Sequence, residues 1–258
     1  MNFAVNMSLF AIGLFFGMLL FLEVGRRVGI RRRMIDPTGA STGVGALDGA
    51  VFALLGLLIA FTFSGAASRF DTRRQLVVEE SNAIGTAYLR LDLLKEQARD
   101  RLRQDFKRYV KTRLEVYRKL PDIEGAKREW DKATAIQGEI WNQTVSACRE
   151  GGSQSATMLL LPALNQMIDI TATRKMAVEI HPPFIIFAML CILALISALI
   201  AGDGMTSRKT QSWIHIIGFA AITAATIYVI LDLEYPRLGL IRVDAADKAL
   251  MELMQSMK

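Results

Sequence analysis

The stretch GALDGAVFALLGLLIAFTFSGAASRFDTRR, Gly45–Arg74, decides how the rest of the chain is read. It begins as a helix suited to lipid, with one carboxylate, Asp48, near its start. It ends in Arg69, Asp71, Arg73 and Arg74, with no glycine or proline marking a stop at the change. A segment in hydrocarbon has no water to satisfy its backbone, so only a helix can carry it across. The membrane helix therefore continues directly into a charged one.

Working outward, Leu47–Phe63 is one of four apolar blocks; the others are Met7–Val24, Phe184–Ala201 and Trp213–Leu231. Each is close to the roughly 20 residues needed to cross about 30 Å of hydrocarbon. Hydrophobic residues make up 52% of the 258, while charged residues still make up 22%, so the apolar content is concentrated in these blocks. The net charge of +6 is explained by anionic headgroups without invoking nucleic acid. Met1–Met7 carries no positive charge, so the first block reads as a retained span and not a secretory signal.

The expected fold is an all-α integral membrane protein. Four transmembrane helices pair as two hairpins, and a helical extramembrane domain is inserted between spans two and three. The expected divisions are residues 1–64, 65–183 and 184–235, with 236–258 as a C-terminal tail. The first hairpin loop holds Arg26, Arg27, Arg31, Arg32 and Arg33, and the second holds Arg208 and Lys209. Counting these cations favours hairpin loops in the cytoplasm and an insertion outside it, while the basic residues Arg69, Arg73, Arg74, Arg174 and Lys175 of the insertion count the other way.

Inside the insertion, Leu76, Ala83, Ala87, Leu91 and Leu94 recur at helical spacing. So do Leu102, Phe106, Tyr109, Val116 and Leu120, in a stripe interrupted by Arg113. The Leu-Pro-Asp at Leu120–Asp122 ends this arm. A second helix is expected over Ala126–Cys148, a break at Gly151–Ser153, and a third helix over Ser155–Glu179, stopped by Pro182 and Pro183. Trp130 and Trp141 are expected as helix-packing core.

Gly49, Ala53, Gly56, Ala60, Ser64 and Ala67 fall three or four apart and share one face of the second span. Such a face either lets another backbone approach closely or lines a pore. In the second case Phe61 and Phe63 form or flank a hydrophobic neck. At the end of the fourth span, Asp232 and Glu234 precede the Pro236–Gly239 turn and are expected at the same membrane face as Arg69 and Arg73. There they form either a structural salt bridge or a charged mouth for ions. Basic residues there favour anions, and Asp232 and Glu234 favour cations.

An enzyme is not expected. CxxC, HExxH and GxxxxGK[ST] are absent, two histidines exclude a histidine-rich metal site, and Ser64, Ser81 and Ser155 lack a His-Asp partner pattern. No cofactor and no metal are expected. Cys148 lies in a polar segment and Cys191 in an apolar block, which argues against a bridge between them.

Three motifs in order resemble the prokaryotic bestrophin-like membrane proteins: Ala53–Leu94, Pro162–Ala177 and the DLEYPRLG turn Asp232–Gly239. Phe52–Arg74 also resembles the pore helix of bacterial bestrophins. The resemblance implies a homo-oligomeric, pentameric ion channel in a bacterial inner membrane, with inorganic ions and the bilayer as partners. Phe61 and Phe63 would sit near the neck, with Arg69 and Arg73 below it. It also implies a cytoplasmic insertion, opposite to the cation count. This sequence departs from bestrophins after Arg69, where Phe70 is followed by Asp71 and Thr72. The other reading of the residues is a non-conducting sensor or scaffold whose long helices bind a partner.

Overall fold

In the structure, a computed structural model, residues 3–35, 44–151, 153–205, 213–241 and 243–257 are described. Among them there is no strand. The helices are α1 (Phe3–Ile35), α2 (Val44–Arg90), α3 (Glu96–Arg118), α4 (Ile123–Gly151), α5 (Gln154–Glu179), α6 (Phe184–Gly204), α7 (Trp213–Glu234) and α8 (Asp244–Ser256). Four helical stretches are long and apolar enough to cross a membrane: Val5–Ile35, Gly45–Leu93, Gln154–Gly204 and Trp213–Glu234. The chain is a multi-pass membrane protein. Because Arg69, Asp71, Arg73 and Arg74 follow one another so closely, the apolar part of α2 ends before them.

Two compact units are distinguished. One comprises Met1–Ser68 with His181–Tyr235, and contains α1, the apolar part of α2, α6 and α7. Its centre is Met18, Leu190, Ala194, Ala198 and Ala220, all fully buried. In lipid the hydrophobic effect does little to drive spans together, so close approach of backbones carries the packing. Gly25 of α1 and Gly202 of α6 supply it. A Cβ at Gly25 would run into the carbonyl oxygen of Leu199, and one at Gly202 into that of Leu22. The apolar part of α2 joins this core through Leu55, and through Phe52, edge-on to Phe219 at 6.1 Å.

The other unit comprises Arg69–Ile180 with Pro236–Lys258. Its core takes Ile84 and Ala87 from α2, Phe106 and Val110 from α3, Ile140 from α4, Leu160 and Leu164 from α5, and Leu250 from α8. Each such burial from water contributes about 1.5–3 kcal/mol for a large side chain. Ser153 caps α5 by accepting a hydrogen bond from the Ala156 amide at 3.0 Å, which explains why the helix begins where the glycines end.

Three expectations are corrected. Arg26 to Arg33 lie in α1 and not in a loop: the run has no proline, and its five arginines are good helix formers that outweigh Gly29. Residues 36–43, and Arg208 and Lys209 expected in the second loop, lie outside the described residues. The long arm is interrupted by a single 3₁₀ turn at Leu91–Leu93. Leu94 and Lys95 are extended there, without proline or glycine, and the buried side chains Leu91 and Leu94 fix the bend by packing. Residues 236–258 are not merely a tail, because α8 buries Leu250 and takes a hydrogen bond from Ser81 on the Ala249 carbonyl at 3.0 Å.

Replacing Gly202 by Ala is expected to lower the melting temperature of the detergent-solubilised protein, at a cost of about 1–3 kcal/mol from forced backbone shifts. Gly13→Ala, where a Cβ meets nothing within 4 Å, should leave it unchanged or slightly raised. Equal melting curves for the two variants would contradict the close crossing of α1 and α6.

Candidate functional site

Leu55, Thr62 and Ala66 are buried and mark the side of α2 that faces its own unit. Thr62 turns its hydroxyl back to the Leu58 carbonyl at 2.6 Å. The opposite side is the small-residue face: Gly49, Ala53, Gly56, Ala60 and Ser64 are all exposed. A Cβ added at Gly49 or Gly56 would meet nothing within 4 Å. Phe61 is 68% and Phe63 43% exposed. Each residue turns a helix by about 100°, so Phe63 falls on one line with Gly56, Ala60 and Ala67, while Phe61 stands well to one side of it.

The four charged residues of the expected mouth have distinct surroundings. Arg73 is buried and donates from Nε to the Ala177 carbonyl at 2.9 Å and from Nη2 to the Ile180 carbonyl at 3.1 Å. It thereby satisfies carbonyls that the end of α5 leaves without amide partners. Arg69 is half-buried. Asp232 and Glu234 are buried at the end of α7. Glu234 has His181 Nδ1 3.8 Å from its Oε2, and the His181 ring stacks on Tyr235 with centroids 4.4 Å apart.

A second cluster lies in the unit formed by Arg69–Ile180 with Pro236–Lys258. Glu80 of α2, with no exposed surface, accepts from Arg113 Nε of α3 at 2.6 Å and from Arg174 Nη1 of α5. Arg113 also donates to the Tyr117 hydroxyl at 2.9 Å and lies over the Trp130 ring at 4.5 Å. The Tyr117 ring is shared: Arg174 stands 4.5 Å and Arg237 4.4 Å from its centroid. Arg237 is held in the left-handed region at φ 102°, a strained conformation for a residue with a Cβ. Its bidentate pair with Asp247, both bonds 2.7 Å, fixes it there. Burial opposes ionisation of Glu80, but the Arg113 and Arg174 guanidiniums reverse this and hold its carboxyl below the usual carboxylate range.

This cluster is absent from the sequence reading, although its signal was present. Arg113 interrupts the apolar stripe of α3, and Glu80 sits four residues after Leu76 and three before Ala83 on the stripe of α2. Two opposite charges, each on an apolar stripe, are a pair waiting to be matched. Trp130, expected as packing core, is a platform for Arg113 and, at 6.0 Å, for Lys175. Among the described residues no group of three or more His, Cys, Asp or Glu side chains is arranged to hold a metal.

Comparison with known proteins gives a match to the Bestrophin-like domain family over residues 10–247. No curated protein sequence matches the chain. Among solved structures, it is similar to a tyrosine-to-alanine variant of a bacterial bestrophin homologue from Klebsiella pneumoniae, with TM-score 0.70 and 15% identity over 95% of this chain and 98% of that one. A tryptophan-to-alanine variant of a bestrophin homologue from Klebsiella pneumoniae gives TM-score 0.70 and 13% identity over 99% and 100%. At these identities the likeness is one of fold.

Glu80→Gln would leave two buried guanidiniums facing a neutral amide, and is expected to destabilise the protein by about 3–5 kcal/mol. The sign with pH follows from the depressed carboxyl. Its contribution is complete above the unfolded value of about 4.3 and is lost as pH falls through the lower folded value. Melting temperature measured from pH 6 to pH 3 should fall more steeply in wild type than in Glu80→Gln. Parallel curves would remove Glu80 as the group responsible.

Proposed function

This chain belongs to the bestrophin-like family, and we propose that it is a homo-oligomeric ion channel of a bacterial inner membrane. Its four spans form two hairpins around the helical insertion, and α2 lines the pore. The observation that carries this reading is the uncovered small-residue face of α2. Gly56, Ala60 and Ser64 are left exposed by their own chain, yet lipid gains little from a row of glycine, alanine and serine. A face of this kind suits a path for ions on the axis of an assembly. The family resemblance suggests five copies.

On this reading Phe63 forms the hydrophobic neck, because it shares a line with Gly56, Ala60 and Ala67, and Phe61 flanks it. A neck of this kind gates by dewetting, so a smaller side chain lowers the barrier. Arg73 and Glu234 act mainly as fixed charges, since each is buried with partners of its own.

Purified protein in liposomes should pass ions under a sodium, potassium or chloride gradient. Phe63→Ala should raise that flux several-fold, and Phe61→Ala should raise it less. No flux from folded, oligomeric protein under any gradient would favour the sensor or scaffold reading, in which the long helices bind a partner.

A further inference from the structure

A groove of about 460 Å³ opens on the membrane unit between α1, α6 and α7. Its floor is apolar, with Leu20, Leu22 and Ile216 among its residues. Its rim is charged and aromatic, made by Glu23, Arg26, Arg27 and Trp213. Along α1 the change from Leu20 to Arg27 takes seven residues, about 10 Å of helix. The wall is fixed in place, since Gly202 meets the Leu22 carbonyl and the Arg26 amide with no room for a side chain.

The charges at the rim do not balance. Arg26 donates to Glu23 from Nε and Nη2, both at 2.8 Å, and Arg27 donates from Nε to the same carboxylate at 2.8 Å. Two guanidiniums on one carboxylate leave an excess of one positive charge. Arg27 is 73% exposed, and its Nε alone is engaged with Glu23. A guanidinium carries five N–H donors, so a phosphate can be received there without displacing the carboxylate. Trp213, 60% exposed at the start of α7, is the side chain expected where hydrocarbon meets headgroups.

We propose that this groove is a binding site for one anionic phospholipid. An acyl chain lies on Leu20, Leu22 and Ile216, and the phosphate is held by Arg27 with Arg26 beside it. A free anion would leave the apolar floor unused. A zwitterionic lipid would bring its own cation to a rim that already has one in excess. Glu23 splays and orients the two guanidiniums, and limits the affinity by its own charge. The proposal does not depend on ion conduction.

Trp213 reports occupancy directly, because bromine on an acyl chain quenches a tryptophan it touches. The full-length protein is reconstituted with brominated phosphatidylglycerol or brominated phosphatidylcholine, and the same series on Trp213→Phe gives the background from Trp130 and Trp141. Phosphatidylglycerol should compete for the site about fivefold better, the ratio that one basic contact of about 1 kcal/mol supplies. Arg26→Gln with Arg27→Gln should abolish the preference, and Arg27→Gln alone should weaken it if the double variant does not fold. Glu23→Gln should strengthen it. Equal quenching by the two lipids in wild type would overturn the proposal. So would a preference that survives loss of the arginines, or one that falls when Glu23 is neutralised.

Discussion

A carboxylate with no exposure to water, held between two guanidiniums, is the interaction on which the helical unit Arg69–Ile180 with Pro236–Lys258 depends. Glu80 comes from α2, Arg113 from α3 and Arg174 from α5, so one residue ties three helices. The Tyr117 ring then draws in Arg237, and Asp247 secures it. Burying ions is expensive, and a pair of this kind is weak evidence for stability by itself. Its effect is positional. The two guanidiniums come from different helices, so the carboxylate is met by both only where α3 and α5 each pack against α2.

Within the membrane unit the apolar part of α2 presents two unlike faces. Leu55, Thr62 and Ala66 turn towards the helices of their own unit, and the small residues turn away. The stretch Gly45–Arg74 is unbroken helix across the change from apolar to charged residues, as the lack of a glycine or proline stop implies.

Four apolar helical stretches were legible because hydrocarbon imposes a simple rule. Phe184–Ala201 and Trp213–Leu231 correspond to α6 and α7 within three residues at either end. The helices α3, α4 and α5 were legible from apolar spacing, and the start of α5 from the glycines and the serine that caps it. The bend at Leu91–Lys95 was not, since it has no breaker and is fixed by what Leu91 and Leu94 pack against. The helix at Asp244–Ser256 was not, since its apolar residues gain a meaning only against Ser81 and the core beside it.

The sequence by itself determined that this is a multi-pass, helical membrane protein, and which residues of α2 share a face. Those properties follow from local periodicity and from the demand that every backbone group in lipid be satisfied within its own segment. Only the tertiary structure decided which face of α2 is covered, that Arg113 and Arg174 answer Glu80, and that Arg73 caps the end of α5. Those outcomes depend on contacts between residues tens of positions apart, where the charge is known from the sequence but its partner is chosen by the packing.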